Sequence, residues 1–153
     1  MFSIFKKKLP QFFSSEEQQK IVEAIRNAEQ RTSGEIRVYV ESKCRFVDAI
    51  DRAAEIFYGL KMEATAERNA VLVYVAMKHR QFAVFADEGI YKKADADFWK
   101  EKLQIMLAHF NKENYADGIT TLIKEIGEAL AYHFPYQADI DKNELPDEIV
   151  FGK

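Results

Sequence analysis

A single cysteine, Cys44, rules out an internal disulfide framework and a zinc site built from several thiolates. It fits a reducing compartment, so a cytoplasmic location is expected. No run approaches the ~18 consecutive apolar residues of a membrane span. The lysine-bearing start, MFSIFKKKLPQFF, lacks the apolar stretch of a signal peptide and is at most a short basic–aromatic arm. Excess positive charge is missing too: 22 Lys and Arg against 25 Asp and Glu leave a net charge of −3, which provides no basic footprint for nucleic acid. The three histidines, His79, His109 and His133, never stand at the i, i+4 spacing of a helical zinc motif. Cys44-Arg45 lacks the spacing of a phosphate-cradling cysteine loop. Repeats are absent, and the length suits one domain.

What is present is a clear alternation of periods. Ser14 with Glu17 three residues on forms a capping-box pattern, and Ile21, Val22, Ile25 and Ala28 share one face of a helix over 15–31. Thr32-Ser33-Gly34 stops it. EIRVYVE (35–41) alternates as a strand does. Val47, Ile50, Ala54 and Phe57 define a helix over 47–60. AVLVYVAM (70–77) is apolar without alternation, the mark of a strand covered on both faces. KHR turns the chain into QFAVFA (81–86), an antiparallel hairpin partner. DEGIYKKADAD reads as a loop. Two helices follow, one carrying Phe98, Leu103, Met106, Leu107 and Phe110, the other Ile119, Leu122, Ile123, Ile126 and Leu130. Trp99 belongs with this apolar set.

The order is α-β-α-β-β-α-α. The helical crossover between strands 1 and 2 makes them parallel, and the expected fold is α/β, a three-layer α/β/α sandwich around a small mixed sheet. The domain spans 12–135, with an N-terminal arm over 1–11 and a C-terminal surface tail over 136–153.

These strand directions have a chemical consequence. Strands 1 and 2 begin at one edge of the sheet and strand 3 finishes there. Gly34-Glu35, Glu67-Arg68-Asn69 and Asp87-Glu88-Gly89 are therefore expected to converge, with Asp95 and Asp97 in the loop beyond. Two readings of that convergence stand on spacing alone. One is a solvated loop end with a helix cap supplied by Asp95 or Asp97. The other is a site where clustered carboxylates, which repel unless a cation compensates, are balanced by Arg68 or Arg37 or by a hard divalent ion. Asp95-Ala-Asp97 lacks the further ligands of an EF-hand loop.

The hairpin RNAVLVYVAMKHRQFAVFADEGI, followed by FWKEKL and YADGITTLIKEIGEAL and preceded by EQRTSGEIRVYVES, resembles the TPM domain family from about Phe12 to Phe134. The resemblance implies an α/β/α sandwich, divalent-metal binding in several members and phosphomonoesterase activity in some. It places the functional loops at Arg68-Asn69 and Asp87-Glu88-Gly89. Where that family often has Asp-Asn-Gly before strand 2, this chain has Arg68-Asn69-Ala70, so Glu67 or Asp87 would have to replace the missing ligand. Many relatives also carry a signal peptide and a membrane helix, and this sequence reads as a stand-alone domain.

The resulting expectation is a metal-dependent phosphoric monoester hydrolase. Its ion is Ca²⁺ or Mg²⁺, held by a set drawn from Asp87, Glu88, Glu35, Glu67, Asn69, Asp95 and Asp97. Asp87, Arg68 and Arg37 carry the chemistry, and the substrate is a phosphate monoester. The alternative is a non-catalytic, metal-stabilised domain whose helix faces or tail NELPDEIV bind a protein partner.

Overall fold

The first helix starts where its cap dictates. In the computed structural model, which describes residues 12–46, 48–111, 114–136 and 149–152, Ser14 Oγ accepts from the Glu17 N–H at 3.1 Å. Glu17 Oε1 accepts in return from the Ser14 N–H at 2.9 Å. This capping box opens α1 (Ser15–Glu29). β1 (Glu35–Glu41), α2 (Ala49–Gly59), β2 (Ala70–Ala76) and β3 (Gln81–Ala86) follow. After them come a short α3 (Glu88–Lys93), then α4 (Ala96–Asn111), α5 (Tyr115–His133) and β4 (Ile149–Phe151). The expected arm over 1–11, Val47 on the second helix and the tail stretch 137–148, including Asn143–Glu148, lie outside the described residues.

The sheet runs β3-β2-β1-β4. β1 pairs in parallel with β2, Glu35 opposite Ala70 through Glu41 opposite Ala76, and β3 returns antiparallel to β2. Every residue of β2 is buried, as its unbroken apolar run requires. Val71, Val73 and Val75 face α1, α4 and α5, while Leu72 and Tyr74 face Phe57 and Ile56 of α2. The three-layer sandwich is therefore observed, with unequal layers. Each such fully buried side chain contributes about 1.5–3 kcal/mol relative to exposure.

Two segments differ from the sequence reading. Residues 88–93 form a helix rather than a loop, because Asp87 caps them and Lys92 and Lys93 sit favourably in the last turn. Residues 149–151, assigned to a surface tail, form β4, with Val38 opposite Ile149 and Val40 opposite Phe151. Asp95 does cap the next helix, accepting from the Phe98 N–H at 2.8 Å.

At the far end of β1 a buried polar cluster closes the sheet. Arg52 of α2 donates through Nε and Nη2 to the two Glu41 carboxylate oxygens, at 2.9 Å each, and Tyr74 Oη donates to Glu41 Oε2. Burial, then the hydrogen bond to Glu41, raises the Tyr74 phenol far above its ordinary value of 10.0. Burial, then the Glu41 charge, raises Tyr39. A raised folded value means that stability from keeping these phenols protonated is complete below about pH 10 and drains away at higher pH. Urea midpoints should therefore fall above about pH 10, and the alkaline fall should be shallower in Tyr74→Phe. An equally steep fall in that variant would contradict this assignment.

Candidate functional site at the starting edge of the sheet

The turn after α1 is fixed first. The Ser33 N–H donates to Phe134 O at 3.0 Å and Thr32 Oγ1 to Leu130 O at 3.0 Å, so the C-terminal end of α5 holds Thr32-Ser33-Gly34 in place. Ser33 Oγ then donates to Glu67 Oε2 at 2.7 Å, and Asn69 Nδ2 donates to Ser33 Oγ at 3.2 Å. Two further bonds draw in the exit of β3. The Asp87 N–H reaches Ala70 O at 2.9 Å and the Gly89 N–H reaches Arg68 O at 2.8 Å. The three loops predicted to meet do meet.

Their side chains are arranged around one pair. Asp87, only 2% exposed, accepts from Arg68 Nε at Oδ2 (2.7 Å) and from Arg68 Nη2 at Oδ1 (2.8 Å). Its Oδ1 also accepts from the Glu88 N–H at 2.8 Å, so the same carboxylate caps α3. Arg68 adopts a left-handed backbone with φ of 54°, an uncommon conformation for a side-chain-bearing residue. It turns the loop so that its carbonyl meets Gly89 while its guanidinium reaches Asp87. The hydrogen bonds it donates to Asp87 raise the guanidinium's already high pKa, so Arg68 is a fixed cation. Its Nη1 lies 3.4 Å from Glu88 Oε1, an exposed carboxylate.

The other expected residues are placed less centrally. Glu35 is buried where β1 pairs with Ala70, and Arg37 lies two residues along on the same face of β1, opposite Leu72. Asp95 serves α4 as its cap, and Asp97 is exposed in that helix's first turn. Neither forms a hydrogen bond or ion pair with the Arg68–Asp87 pair among the described residues. Residues that the sequence did not single out also contribute. Ser33 ties two loops together, and Tyr58, Phe85 and Tyr91 wall a pocket of about 300 Å³ with Arg68, Asp87 and Glu88. Tyr91 carries no sequence signal because α3 has only one buried apolar residue, Ile90, and so shows no period.

The TPM domain family model matches residues 8–129 of this fold and its loops. The chain belongs to the TPM domain family. Its structure is similar to the NMR structure of BA42 protein from the psychrophilic bacterium Bizionia argentinensis, with a TM-score of 0.86 and 40% identity over 95% of this chain and 99% of that one. The N-terminal domain of cg2496 protein from Corynebacterium glutamicum shares the fold at a TM-score of 0.58 and 15% identity, covering 78% of this chain and 74% of that one. No curated protein matches the chain.

In this TPM domain the oxygen donors divide unequally with respect to a divalent ion. Asp87 is taken by Arg68, and among the described residues no three His, Cys, Asp or Glu side chains are grouped to hold a metal. The loop before β2 fits better. Asn69 is 1% exposed, and its amide nitrogen is committed to Ser33 and Glu67. Its Oδ1 is buried with no partner among the described residues. An orphaned buried carbonyl beside the Glu67 carboxylate is the donor chemistry that a hard cation prefers.

No helix among the described residues is long and apolar enough to cross a membrane.

Proposed function

We propose that this TPM domain binds phosphate monoesters at the Arg68 pocket and hydrolyses them modestly with a divalent ion, Ca²⁺ or Mg²⁺, held near Glu67 and Asn69. The observation that carries this reading is the Arg68–Asp87 pair. A guanidinium gripped on one side by a buried carboxylate keeps its remaining N–H donors turned to the pocket, already oriented for the oxygens of a phosphate. Asp87 is thereby a positioning residue, since both its oxygens are engaged. Glu88, exposed beside Nη1, is the carboxylate available to hold a water for attack. Tyr58 and Tyr91 supply flat walls for the organic part of the ester. A divalent ion held by Glu67 and Asn69 would supply charge neutralisation for the phosphate and Lewis acidity.

Hydrolysis of an aryl phosphate tests this directly. Chelator should abolish most turnover, and Arg68→Ala should lower kcat/KM by about 100- to 1000-fold, the usual range for losing a preorganised donor. Arg68→Lys should recover only part, because an ammonium cannot keep the two-point grip on Asp87. Activity indifferent to chelator and to Arg68→Ala would end this reading. A second reading, a metal-stabilised module that binds a protein partner, draws on the two exposed tyrosines at the pocket rim. It predicts a rise in Tm with Ca²⁺ or Mg²⁺ and no hydrolysis.

A further inference from the structure

A second pocket, of about 400 Å³, lies at the opposite end of the sheet and takes no part in the proposed hydrolysis. Its lining is Tyr39, Glu41, Lys43, Arg45, Phe46 and Arg52. It exists because α2 lies mainly over β3 and β2, leaving the outward residues of β1 only partly covered. This places the pocket outside the carboxyl ends of the parallel strands β1 and β4, where open α/β sheets generally receive ligands.

The charge in it is unbalanced. Glu41, 4% exposed, has both oxygens filled by Arg52 and by Tyr74 Oη, so it fixes Arg52 rather than offering an acceptor to the pocket. Arg52 Nη1 also meets Glu55, an exposed carboxylate. Lys43 and Arg45 are exposed, and neither joins an ion pair among the described residues. The helix that borders the pocket starts without a side-chain cap, Asp48 giving none. Two aromatic rings complete the wall. Tyr39 lies under the Arg52 guanidinium at 5.9 Å from ring centroid to carbon, and Phe46 is 37% exposed at the pocket wall.

We propose that this pocket binds a small anion carrying a flat ring, of the nucleotide or aryl-phosphate kind. Lys43 and Arg45 contact the anionic group, Arg52 is held ready by Glu41, and Phe46 stacks on the ring. Cationic side chains interleaved with exposed aromatics recognise this combination, each element adding a separable increment.

The experiment is titration of ¹⁵N-labelled protein with AMP, and separately with inorganic phosphate, following amide shifts. Saturable shifts are expected at residues 39–46 and 52. Lys43→Ser/Arg45→Ser should weaken AMP by about tenfold or more, one lost hydrogen bond to a charged group being worth at least about that factor, without changing Tm. Phe46→Ala should weaken AMP while leaving inorganic phosphate unaffected. Arg68→Ala separates this site from the hydrolytic one and should leave these shifts in place. The proposal is overturned if AMP produces no saturable shift, or if Lys43→Ser/Arg45→Ser binds like the parent. It is equally overturned if the shifts gather around Arg68 and vanish in Arg68→Ala.

Discussion

Gly89→Ala is expected to destabilise the fold by about 3 kcal/mol, the upper end of the usual range for overpacking, because the atoms it meets cannot turn aside. It should also abolish whatever chemistry Arg68 supports. Helix propensity alone predicts the opposite sign. Gly89 lies inside α3 with no positive φ, and alanine is the better helix former by about 1 kcal/mol. Sterics decide. A Cβ at this position would stand 2.5 Å from the Arg68 carbonyl oxygen and closer still to that of Glu67. Both are backbone atoms, so relief requires the whole loop before β2 to retreat. That retreat breaks the 2.8 Å bond from the Gly89 N–H to Arg68 O and pulls the guanidinium off Asp87. Gly59→Ala is the matched control, because nothing lies within 4 Å of its Cβ position. It sits at the last residue of α2 and should be neutral or stabilising by a few tenths of a kcal/mol. Urea unfolding of both variants checks the pair. A Gly89→Ala variant as stable as Gly59→Ala would mean that α3 does not press on the loop.

The edge where these groups meet is legible in the sequence. The unbroken apolar run of β2 and the alternation of β1 set strand directions, and directions alone bring Arg68-Asn69 to Asp87-Glu88. Which group pairs with which is not legible there. Spacing offers Arg68, Arg37 or a metal ion as the cation that balances Asp87 and does not choose among them. That choice follows from the left-handed turn at Arg68, and Arg-Asn carries no glycine to announce one. Helix α3 leaves no mark because six residues with one buried side chain have no measurable period, and β4 none because three residues cannot show alternation. The rings Tyr58 and Tyr91 sit on exposed faces, where sequence pattern assigns only solvent. In each case the missing information is tertiary: the site's outline comes from long, periodic elements, and its chemistry from short ones.

Arg52→Met is the second substitution with a large expected effect, about 2–3 kcal/mol of lost stability at neutral pH. Removing one member of a buried ion pair typically costs about 3–5 kcal/mol. The lower figure allows for Arg52, whose side chain is 24% exposed against 6% for Glu41. The cost comes from what remains: the Glu41 carboxylate, sealed between the sheet and α2, would keep only the Tyr74 hydroxyl of its present three hydrogen bonds. A second change should therefore rescue the first. Glu41→Gln removes the stranded charge while its side-chain carbonyl still accepts from Tyr74, so Glu41→Gln/Arg52→Met should recover at least half of the loss, a coupling of about 1–2 kcal/mol in a double-mutant cycle. Strict additivity would show that the pair is effectively solvated and that Glu41 does not hold Arg52 in place. Strong coupling would carry a further consequence for the pocket at this end of the sheet. A guanidinium whose position is dictated by a buried carboxylate meets an incoming anion without first losing rotamer freedom, so Glu41→Gln alone should weaken AMP binding even though Glu41 itself offers the ligand nothing.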